Sequence, residues 1–292
     1  MTKNLSESVI FVIFVMVPSY SGIEHHAESS GYVYGPGTEP FASPSKRLKT
    51  GQTGNRENSM IQAVLFDFGQ TLVNSTDGFR KAEKDAQLRL FSHLDLPSWD
   101  TFLSTYREIR GELHTQSIFS RYAIWENVSV RFGLKPDNEL YRGWEKEYWK
   151  TVIDNTAMFP EAAHVLKTLS SRYRLGLVSN TQGQGRSAGH RLSLFPAIVE
   201  LFDAIIISGE GGIPPKPDPE PFLRCLTELG IEPEEALFVG DDWRIDICGA
   251  KDAGIRPVWL QHRSVHRTWP VGDTSVPIIH DLNPLIETER LL

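Results

Sequence analysis

The sequence is short of the features that mark a nucleic-acid binder, a disulfide-bonded secreted domain or a membrane protein. Acidic residues outnumber basic ones by 37 to 30, and the formal net charge of -7 gives no basic excess for binding nucleic acid. The two cysteines, Cys225 and Cys248, are too few for a disulfide scaffold and fit a reducing, cytoplasmic compartment. The apolar run at 9–17 is far shorter than the ~20 residues that a spanning helix needs, so we expect no stable membrane anchor.

Residues 1–59 also lack the pattern of a folded domain. The stretch 19–59 is rich in Gly, Ser, Pro and charge and shows no helical or strand period, which predicts disorder. As a secretory signal the run 9–17 is weak, because Lys3 is the only base before it and no clear A-x-A site follows. We therefore expect 1–59 to be a disordered extension. Alternatively, the true start of the protein is Met60, and the gene model that gives 1–59 extends too far upstream.

From Met60 onward, strand and helix patterns alternate. Strands are predicted at 61–66, 175–179, 204–208, 236–240, 258–260 and 277–279, and helices at 159–170, 189–202, 218–229 and 245–253. An aromatic-rich helical stretch fills 79–155. Alternation of this kind implies right-handed crossovers and a parallel sheet covered on both faces. We predict an α/β protein with a Rossmann-like, doubly wound parallel sheet core built from 60–78 and 156–292.

Polar residues follow the predicted strands at the ends where a parallel sheet binds its ligands. They are Asp67 after the first strand, Ser179 at the end of the second strand and Asn180 directly after it, Lys216 in the loop after the third, and Asp241 and Asp246 after the fourth. Because ligands bind beyond the carboxyl ends of parallel strands, we expect these side chains to converge.

This set of groups suits phosphoryl transfer. Asp67 can attack phosphorus and form an aspartyl-phosphate, a known form of covalent catalysis by a carboxylate. Asp67 and Asp241 supply the hard oxygen ligands that Mg²⁺ needs, with room left for waters and a substrate phosphate. Lys216 would neutralise the charge that develops on the equatorial oxygens.

Four motifs in order, DFGQT (67–71), VSN (178–180), KPDP (216–219) and GDDWRID (240–246), resemble those of the haloacid dehalogenase superfamily, whose members are mostly phosphatases. The resemblance covers the chain from Met60 to its end, and its specificity lies in the ordered set. It implies that 79–155 is a helical cap that closes over the site and selects a small phosphorylated substrate. The implied catalytic residues are Asp67, Lys216 and Ser179; the implied substrate contacts are Ser179, Asn180 and Thr71; and the implied Mg²⁺ ligands are Asp67, Gly69, Asp241 and Asp246.

The first motif departs from the family pattern. Phosphatases of this family read D-x-D-G-T, and the second Asp acts as general acid and base, whereas this chain has Gly69 there and Gln70 in place of the usual glycine. The family ligates Mg²⁺ through the backbone carbonyl at this position, and glycine keeps that carbonyl. A positioned acid or base is worth ~10²–10⁴ in rate, or roughly 3–5 kcal/mol of barrier. We expect slow turnover of poor leaving groups and nearly normal turnover of good ones, with Asp242 or a metal-bound water as candidate substitutes.

The same departure leaves other functions open. Dehalogenases of the family also lack the second Asp, but they carry an aromatic residue there and need no acidic metal site. A phosphonate-cleaving branch uses a cap lysine, and Lys81 and Lys84 are more simply interpreted as solvated charges. A weakly active or non-catalytic phosphate-binding protein is the remaining alternative, and the protein is expected to be a monomer or homodimer.

Other polar and aromatic residues have simpler interpretations. The cap tryptophans are interpreted as core packing: Trp99, Trp125, Trp144 and Trp149. The basic residues at 107, 110, 114 and 121 are interpreted as a solvated helix face, and His262 and His266 as surface residues.

Overall fold

In the computed structural model, the described residues are 60–184, 190–270, 273 and 275–287, so the predictions for 1–59 lie outside them. The strands are β1 Ala63–Phe66, β2 Val73–Asn74, β3 Ala157–Met158, β4 Arg174–Asn180, β5 Ala204–Ser208, β6 Ala236–Gly240, β7 Arg256–Leu260 and β8 Ile278–Ile279. The helices are α1 Thr76–His93, α2 Trp99–Thr115, α3 Arg121–Arg131, α4 Asn138–Asp154, α5 Ala162–Leu169, α6 Pro196–Val199, α7 Glu220–Leu229, α8 Gly249–Asp252 and α9 Pro284–Glu287. No helix of the described part is both long and apolar enough to cross a bilayer.

The core is a six-stranded sheet in the order β5-β4-β1-β6-β7-β8, and its neighbouring strands pair in parallel. The chain builds outward from β1 through β4 to β5, and then returns to the other side of β1 to build β6, β7 and β8. This reversal creates a switch point at the carboxyl end of β1, which is where ligands bind in such sheets. The predicted doubly wound α/β core is confirmed.

Each face of the sheet packs against its own hydrophobic cluster. Along β1, Val64 and Phe66 belong to one cluster, and Ala63 and Leu65 belong to the other. This alternation is the two-residue period of a strand, and because both faces are covered, β1 is an unbroken apolar run. Asp67, directly after β1, is therefore the first polar side chain that this central strand presents at the rim of the sheet.

The helices after β4 and β6 differ from the prediction. In place of one helix at 189–202, the described residues form a 3₁₀ turn at Arg191–Leu194 followed by α6. Pro196 explains the break, because its ring cannot continue a preceding helix and its nitrogen has no hydrogen to donate. The helix predicted at 245–253 begins earlier, with a π-helical turn at Trp243–Cys248, and continues into α8.

The helical stretch between β2 and β3 consists of α1 to α4, which pack around a core of their own. Trp125 and Trp149 are fully buried in it, and Trp99 and Trp144 pack against it, as the core-packing interpretation predicts. Short breaks separate the helices because Ser98, Ser120 and Asp137 accept hydrogen bonds from the first turns of α2, α3 and α4.

The two crossings between the sheet and these helices lie side by side. The strands β2 and β3 pair antiparallel, with Val73 opposite Met158 and Asn74 opposite Ala157. Beyond this pair, the hydroxyls of Ser75 and Thr156 are hydrogen-bonded at 2.9 Å. The helices therefore leave and rejoin the core at one small, internally bonded junction, close to the rim that bears Asp67.

Candidate active site

Asp67, Lys216 and Asp246 form the centre of the rim. The Nζ atom of Lys216 donates to Oδ1 of Asp67 at 2.8 Å and to Oδ1 of Asp246 at 2.7 Å. Lys216 is only 1% exposed and Asp67 8%. Burial on its own disfavours the ammonium, but Asp246 and Asp67 outweigh it and hold the pKa of Lys216 above its ordinary value. The lysine is therefore charged and fixed against the carboxylate that the sequence predicts as the nucleophile.

The third acid of the rim, Asp241, lies beside these two. Asp67, Asp241 and Asp246 each offer a carboxylate oxygen, and these atoms lie within 4.8 Å of one another. Burial, opposed by Lys216 and reinforced by Asp246, raises the pKa of Asp67 to about 6. Burial and the two neighbouring carboxylates likewise raise the pKa of Asp241, despite a nearby arginine. The cluster is thus short of positive charge, and its buried oxygens fit a divalent cation such as Mg²⁺.

Asp246 also organises the loop after β6. Its Oδ2 atom accepts hydrogen bonds from the backbone nitrogens of Asp241 at 3.1 Å and Asp242 at 3.0 Å. The turn is tight, because a Cβ at Gly240 would lie 2.5 Å from the Cβ of Asp246. Only glycine fits there. The absence of a side chain at Gly240 leaves room for the Asp246 carboxylate to accept these hydrogen bonds, which fix the position of Asp241.

Arg267 is a partner of Asp241 that the sequence analysis missed. Its Nη1 atom lies 2.9 Å from Oδ2 of Asp241, and its Nη2 donates to the carbonyl oxygen of the same residue. The indole nitrogen of Trp259 donates to that carbonyl as well, at 3.0 Å. These contacts fix the orientation of both the carboxylate and the backbone carbonyl of Asp241. Arg267 lies in the segment after β7, where no strand-end rule or motif marks it.

The predicted phosphate-binding residues are Thr71, Ser179 and Asn180. They differ in whether their side chains already have hydrogen-bond partners within the protein. Thr71 is fully buried, and its hydroxyl has no hydrogen-bond partner within the described part of the chain. Asn180 instead holds Lys216, since its Oδ1 accepts from the Lys216 nitrogen at 2.8 Å and its Nδ2 donates to the Lys216 carbonyl at 3.0 Å. The orphaned hydroxyl of Thr71 is suited to a ligand oxygen, whereas Asn180 positions the lysine.

Ser179 contacts a histidine that the sequence analysis did not single out. Nε2 of His190 lies 3.1 Å from the Ser179 hydroxyl, while its Nδ1 accepts from the backbone nitrogen of Leu192 at 3.1 Å. Because Nδ1 is an acceptor, the neutral ring carries its hydrogen on Nε2 and donates it to Ser179. Burial, Arg191 and Lys216 lower the pKa of His190 to about 3, so the ring stays neutral. His190 lies ten residues beyond the end of β4, too far along the chain for the strand-end rule to find it.

The two unusual residues of the first motif have distinct surroundings. Gln70 takes φ 59°, the left-handed conformation that normally favours glycine. Its Oε1 accepts from the backbone nitrogen of Ser75 at 3.2 Å, next to the start of α1. At Gly69, a Cβ would lie 3.3 Å from Nη2 of Arg191. A guanidinium therefore stands beside the position from which the family's second carboxylate usually projects.

Arg121 of the helical insertion, wrongly expected on a solvated helix face, belongs to a buried charged cluster. Arg121 is 3% exposed and lies 3.4 Å from Glu83, which also pairs with Arg110 at 3.3 Å. On the core side, Nη2 of Arg244 donates to the carbonyl oxygen of His114 at 3.1 Å. The helices thus contact the loop that bears the acid cluster. Of the basic residues in question, Arg107 is exposed as predicted, and so are the lysines 81 and 84.

Comparisons with known proteins agree with this fold. A family model described as haloacid dehalogenase-like hydrolase matches residues 61–254. Glyceraldehyde 3-phosphate phosphatase from Methanopyrus kandleri is 29% identical over 224 residues, which are 75% of this chain and 91% of that protein. Phosphoglycolate phosphatase from Salmonella typhi is 29% identical over 217 residues, covering 69% of this chain and 82% of that protein.

A solved structure, the 2-haloacid dehalogenase from Pseudomonas syringae pv. Tomato DC3000, has a TM-score of 0.54 at 24% identity, over 78% of this chain and 97% of that one. This likeness supports the fold. Because the family model spans well over half of the sequence, the chain belongs to the haloacid dehalogenase-like hydrolases.

Proposed function

We propose that the protein is a Mg²⁺-dependent phosphatase that hydrolyses a small phosphomonoester through a covalent aspartyl-phosphate at Asp67. The observation that carries this proposal is the ammonium of Lys216, bonded at 2.8 Å to Asp67 and at 2.7 Å to Asp246 within a buried cluster of three acids. A dehalogenase has no need of such a cluster, whereas phosphoryl transfer uses the charges of both the lysine and a bound cation.

The roles proposed for the residues follow from their contacts. Asp67 attacks phosphorus with the oxygen that is not held by Lys216, and Lys216 stabilises the negative charge on the transferring group. The free hydroxyl of Thr71 and the hydroxyl of Ser179 bind phosphate oxygens. When bound by Asp67, Asp241, Asp246 and the carbonyl of Gly69, Mg²⁺ would supply further neutralisation of phosphate charge.

A small substrate fits the enclosure of the site. Lys216 and Asp67 are almost completely buried, and the last turn of α2 contacts the loop after β6 through the hydrogen bond from Arg244 to the His114 carbonyl. We propose that 79–155 acts as the cap and that 60–78 and 156–292 form the core, with the junction at Ser75 and Thr156 as the point of movement. The names of both similar phosphatases specify small phosphorylated metabolites as substrates. Two unpaired cysteines support the prediction of a cytoplasmic protein, and its state as monomer or homodimer stays a prediction.

The test is hydrolysis of p-nitrophenyl phosphate by the purified full chain, with Mg²⁺ and with a chelator. We expect turnover that requires Mg²⁺ and falls at least ~10³-fold in Asp67→Asn, because the amide cannot form the phosphate ester. Asp77→Asn is the matched control, since Asp77 is an exposed acid paired with Arg80. Its activity should equal that of the unsubstituted protein.

Other outcomes would assign another function. Halide release from 2-haloacids without metal would establish a dehalogenase. Binding of phosphate esters without turnover in either assay would establish a non-catalytic phosphate-binding protein. Equal activity in Asp67→Asn and in the unsubstituted protein would rule out the covalent mechanism.

A further inference from the structure

Arg191 occupies the space beside Gly69. A Cβ built on Gly69 would lie 3.3 Å from Nη2 of Arg191, which is tighter than most contacts of real Cβ atoms. Arg191 begins the 3₁₀ turn that follows β4, and its side chain contacts the loop after β1 at Phe68 and Gly69. The guanidinium therefore stands where a side chain at position 69 would project.

The guanidinium of Arg191 is buried without a matching anion. The residue is 3% exposed, and none of the ion pairs formed within the described residues includes it. Nη1 donates to the hydroxyl of Ser75, but the buried Nε has no hydrogen-bond partner in the same part of the chain. A buried charge of this kind is costly unless an anion joins it, so the space around the Arg191 guanidinium lacks a negative group in ion-pair contact.

The surroundings of Arg191 direct it toward the reacting centre. Its charge interacts favourably with that of Asp67. The guanidinium carbon lies 5.6 Å from the ring centre of Phe68 and 5.1 Å from that of Phe79, one ring from the core and one from α1. These aromatic rings limit access by water and strengthen the electrostatic effect of the cation.

We propose that Arg191 takes the place of the missing acid and donates hydrogen bonds to the oxygen of the leaving group, which departs as an anion. This inference rests on the proposed phosphatase function. In this role Arg191 is a catalytic residue, and the enzyme favours substrates whose leaving group is stable as an anion.

The step is balanced without a proton donor. An oxygen of Asp67 forms a bond to phosphorus while the bond from phosphorus to the leaving oxygen breaks, and that oxygen keeps both electrons. The guanidinium stabilises the new anion but keeps its own protons, because arginine does not deprotonate in proteins. The released anion takes a proton from solvent after it leaves the site.

Substrate preference follows from this difference between hydrogen bonding and proton transfer. Donation from a cation stabilises an anionic oxygen only in part, whereas a general acid removes its charge. The favoured substrates are therefore phosphoryl groups attached to oxygens that are stable as anions, namely those of phenols, carboxylic acids and other phosphates. Alkyl phosphates, whose alkoxide is a strong base, are expected to be poor substrates, so this protein would share the small size of the substrates named for the two similar phosphatases but not their alkyl leaving groups.

The test is the dependence of kcat/KM on the acidity of the leaving group, measured with a series from p-nitrophenyl to phenyl phosphate. This ratio reports the steps up to release of the phenol and is independent of how the Asp67 ester is later hydrolysed. We expect Arg191→Met to lower kcat/KM about 10²-fold for phenyl phosphate and tenfold or less for p-nitrophenyl phosphate. The slope against leaving-group pKa should become steeper, which a purely structural role would not produce.

Two further variants keep the test decisive if Arg191→Met fails to fold. Arg191→Lys retains a cation and should keep most of the activity and a slope close to that of the unsubstituted protein. Arg191→Ala leaves a cavity, and millimolar guanidinium should restore its activity toward phenyl phosphate at least tenfold. Arg107→Met, on the exposed face of α2, is the matched control and should change neither rate nor slope.

Several results would overturn the inference. An equal loss for all leaving groups would reduce Arg191 to a structural role. A rise in KM limited to substrates with a carboxylate would make it a binding residue for a remote anion. If the unsubstituted protein shows no Asp67-dependent hydrolysis at all, the proposed phosphatase function itself fails. If hydrolysis requires Asp67 but the slope against leaving-group pKa is unchanged in Arg191→Met, only the role inferred for Arg191 is refuted.

Discussion

At the scale of single residues, Gly69 affects the second half of the reaction as well as the first. In the proposed mechanism, water attacks phosphorus to release Asp67, and the family's second carboxylate would remove the proton of that water. Gly69 has no side chain for this purpose, and the adjacent Arg191 is a donor rather than a base. Hydrolysis of the covalent ester should therefore be slower than its formation whenever the leaving group is good.

This imbalance predicts a burst. Rapid mixing with p-nitrophenyl phosphate should release about one equivalent of nitrophenolate per active site, followed by a slower steady rate. Protein quenched in acid during the steady phase should carry a phosphate on Asp67, detected by the mass of the peptide. A progress curve that is linear from the first turnover, with no phosphorylated peptide, would contradict the prediction.

Asn180 is the residue that holds the backbone of Lys216. Its amide makes hydrogen bonds of 2.8 and 3.0 Å to Lys216 and accepts one of 2.6 Å from Ser208. Asn180→Ala should lower kcat about 10²-fold, because a displaced Lys216 no longer faces Asp67, and should cost ~1–3 kcal/mol of stability through unpaired buried groups. Denaturant unfolding and steady-state kinetics measure the two effects.

Ser208→Ala is the matched control for this change. It removes one contact of Asn180 and leaves both hydrogen bonds to Lys216 in place. We expect less than a tenfold loss of kcat. Equal losses of kcat in the two variants would show that Asn180 does not act through the position of Lys216.

At the scale of elements, the close approach of α1 and α4 sets the geometry of the junction. A Cβ at Gly78 in α1 would lie 2.9 Å from the carbonyl oxygen of Val152 in α4. Because that atom belongs to the backbone of a packed helix, Gly78→Ala forces the helices apart and should lower the free energy of unfolding by ~1–3 kcal/mol. Chemical denaturation measures the change.

Two glycines provide matched controls for Gly78→Ala. Gly111 in α2 and Gly143 in α4 lie mid-helix, and a methyl group added at either would have no atom of another element within 4 Å. Their replacement by alanine should stabilise the protein by ~0.5–1 kcal/mol, since alanine loses less backbone entropy in a helix. A change of the same sign in all these variants would mean that helix propensity, rather than close packing, decides the effect at Gly78.

The last turn of α2 contains a histidine in a cationic environment. Burial, together with Arg110 and Arg121, lowers the pKa of His114 to about 3; Glu83 opposes the shift and Arg244 adds to it. A helix C-terminus normally favours protonated histidine, but burial and the guanidiniums prevail here. His114 therefore stays neutral in the folded protein.

The sign of the resulting pH effect follows from proton binding. Below an unfolded-state pKa of ~6.5 the unfolded chain binds a proton at this residue and the folded chain does not, so His114 favours unfolding as the pH falls toward 3. His114→Gln should gain ~1–3 kcal/mol relative to the unsubstituted protein between pH 7 and pH 4, measured by urea unfolding. Stability curves that stay parallel over this range would contradict the prediction.

At the scale of the whole molecule, the sheet explains how much of the site can be predicted from sequence. Asp67 and Asp241 directly follow β1 and β6, and Ser179 lies at the end of β4; these strands pair side by side, so strand-end position alone brings the three residues together. Three further residues of the site come from the segments after β4 and β7, namely His190, Arg191 and Arg267. No strand end, helical period or motif in the sequence predicts that they lie near the site. His262, wrongly expected at the surface, stacks on Phe159 with 3.6 Å between the ring centres, a contact between segments about a hundred residues apart.

The helical insertion illustrates the same limit. Its aromatic-rich sequence predicts helices whose tryptophans pack in a core, and the buried Trp125 and Trp149 confirm this. Burial of Arg121 could not be predicted in this way, because it depends on Glu83, which lies 38 residues earlier and is brought near only by the packing of α1 against α4 and of α2 against α3. Long-range charge pairs of this kind are a property of the assembled helices rather than of any one segment.

The charge balance of the assembled rim leads to a prediction about stability. Burial and the neighbouring acids raise the pKa of Asp67 and Asp241, so the ionised cluster opposes folding until a cation binds. Saturating Mg²⁺ should stabilise the protein by about 2–3 kcal/mol relative to a chelator, which corresponds to several degrees in Tm. Differential scanning calorimetry on the full chain measures the shift.

Asp241→Asn is the variant that isolates this effect. The substitution removes a carboxyl group whose pKa is raised by burial and the neighbouring acids, so without metal the variant should unfold at the same or a slightly higher temperature, even though the contact with Arg267 weakens. The response to Mg²⁺ should largely disappear, because one of the three carboxylates is lost. Asp77→Asn should respond like the unsubstituted protein, and an undiminished Mg²⁺ shift in Asp241→Asn would place the cation elsewhere.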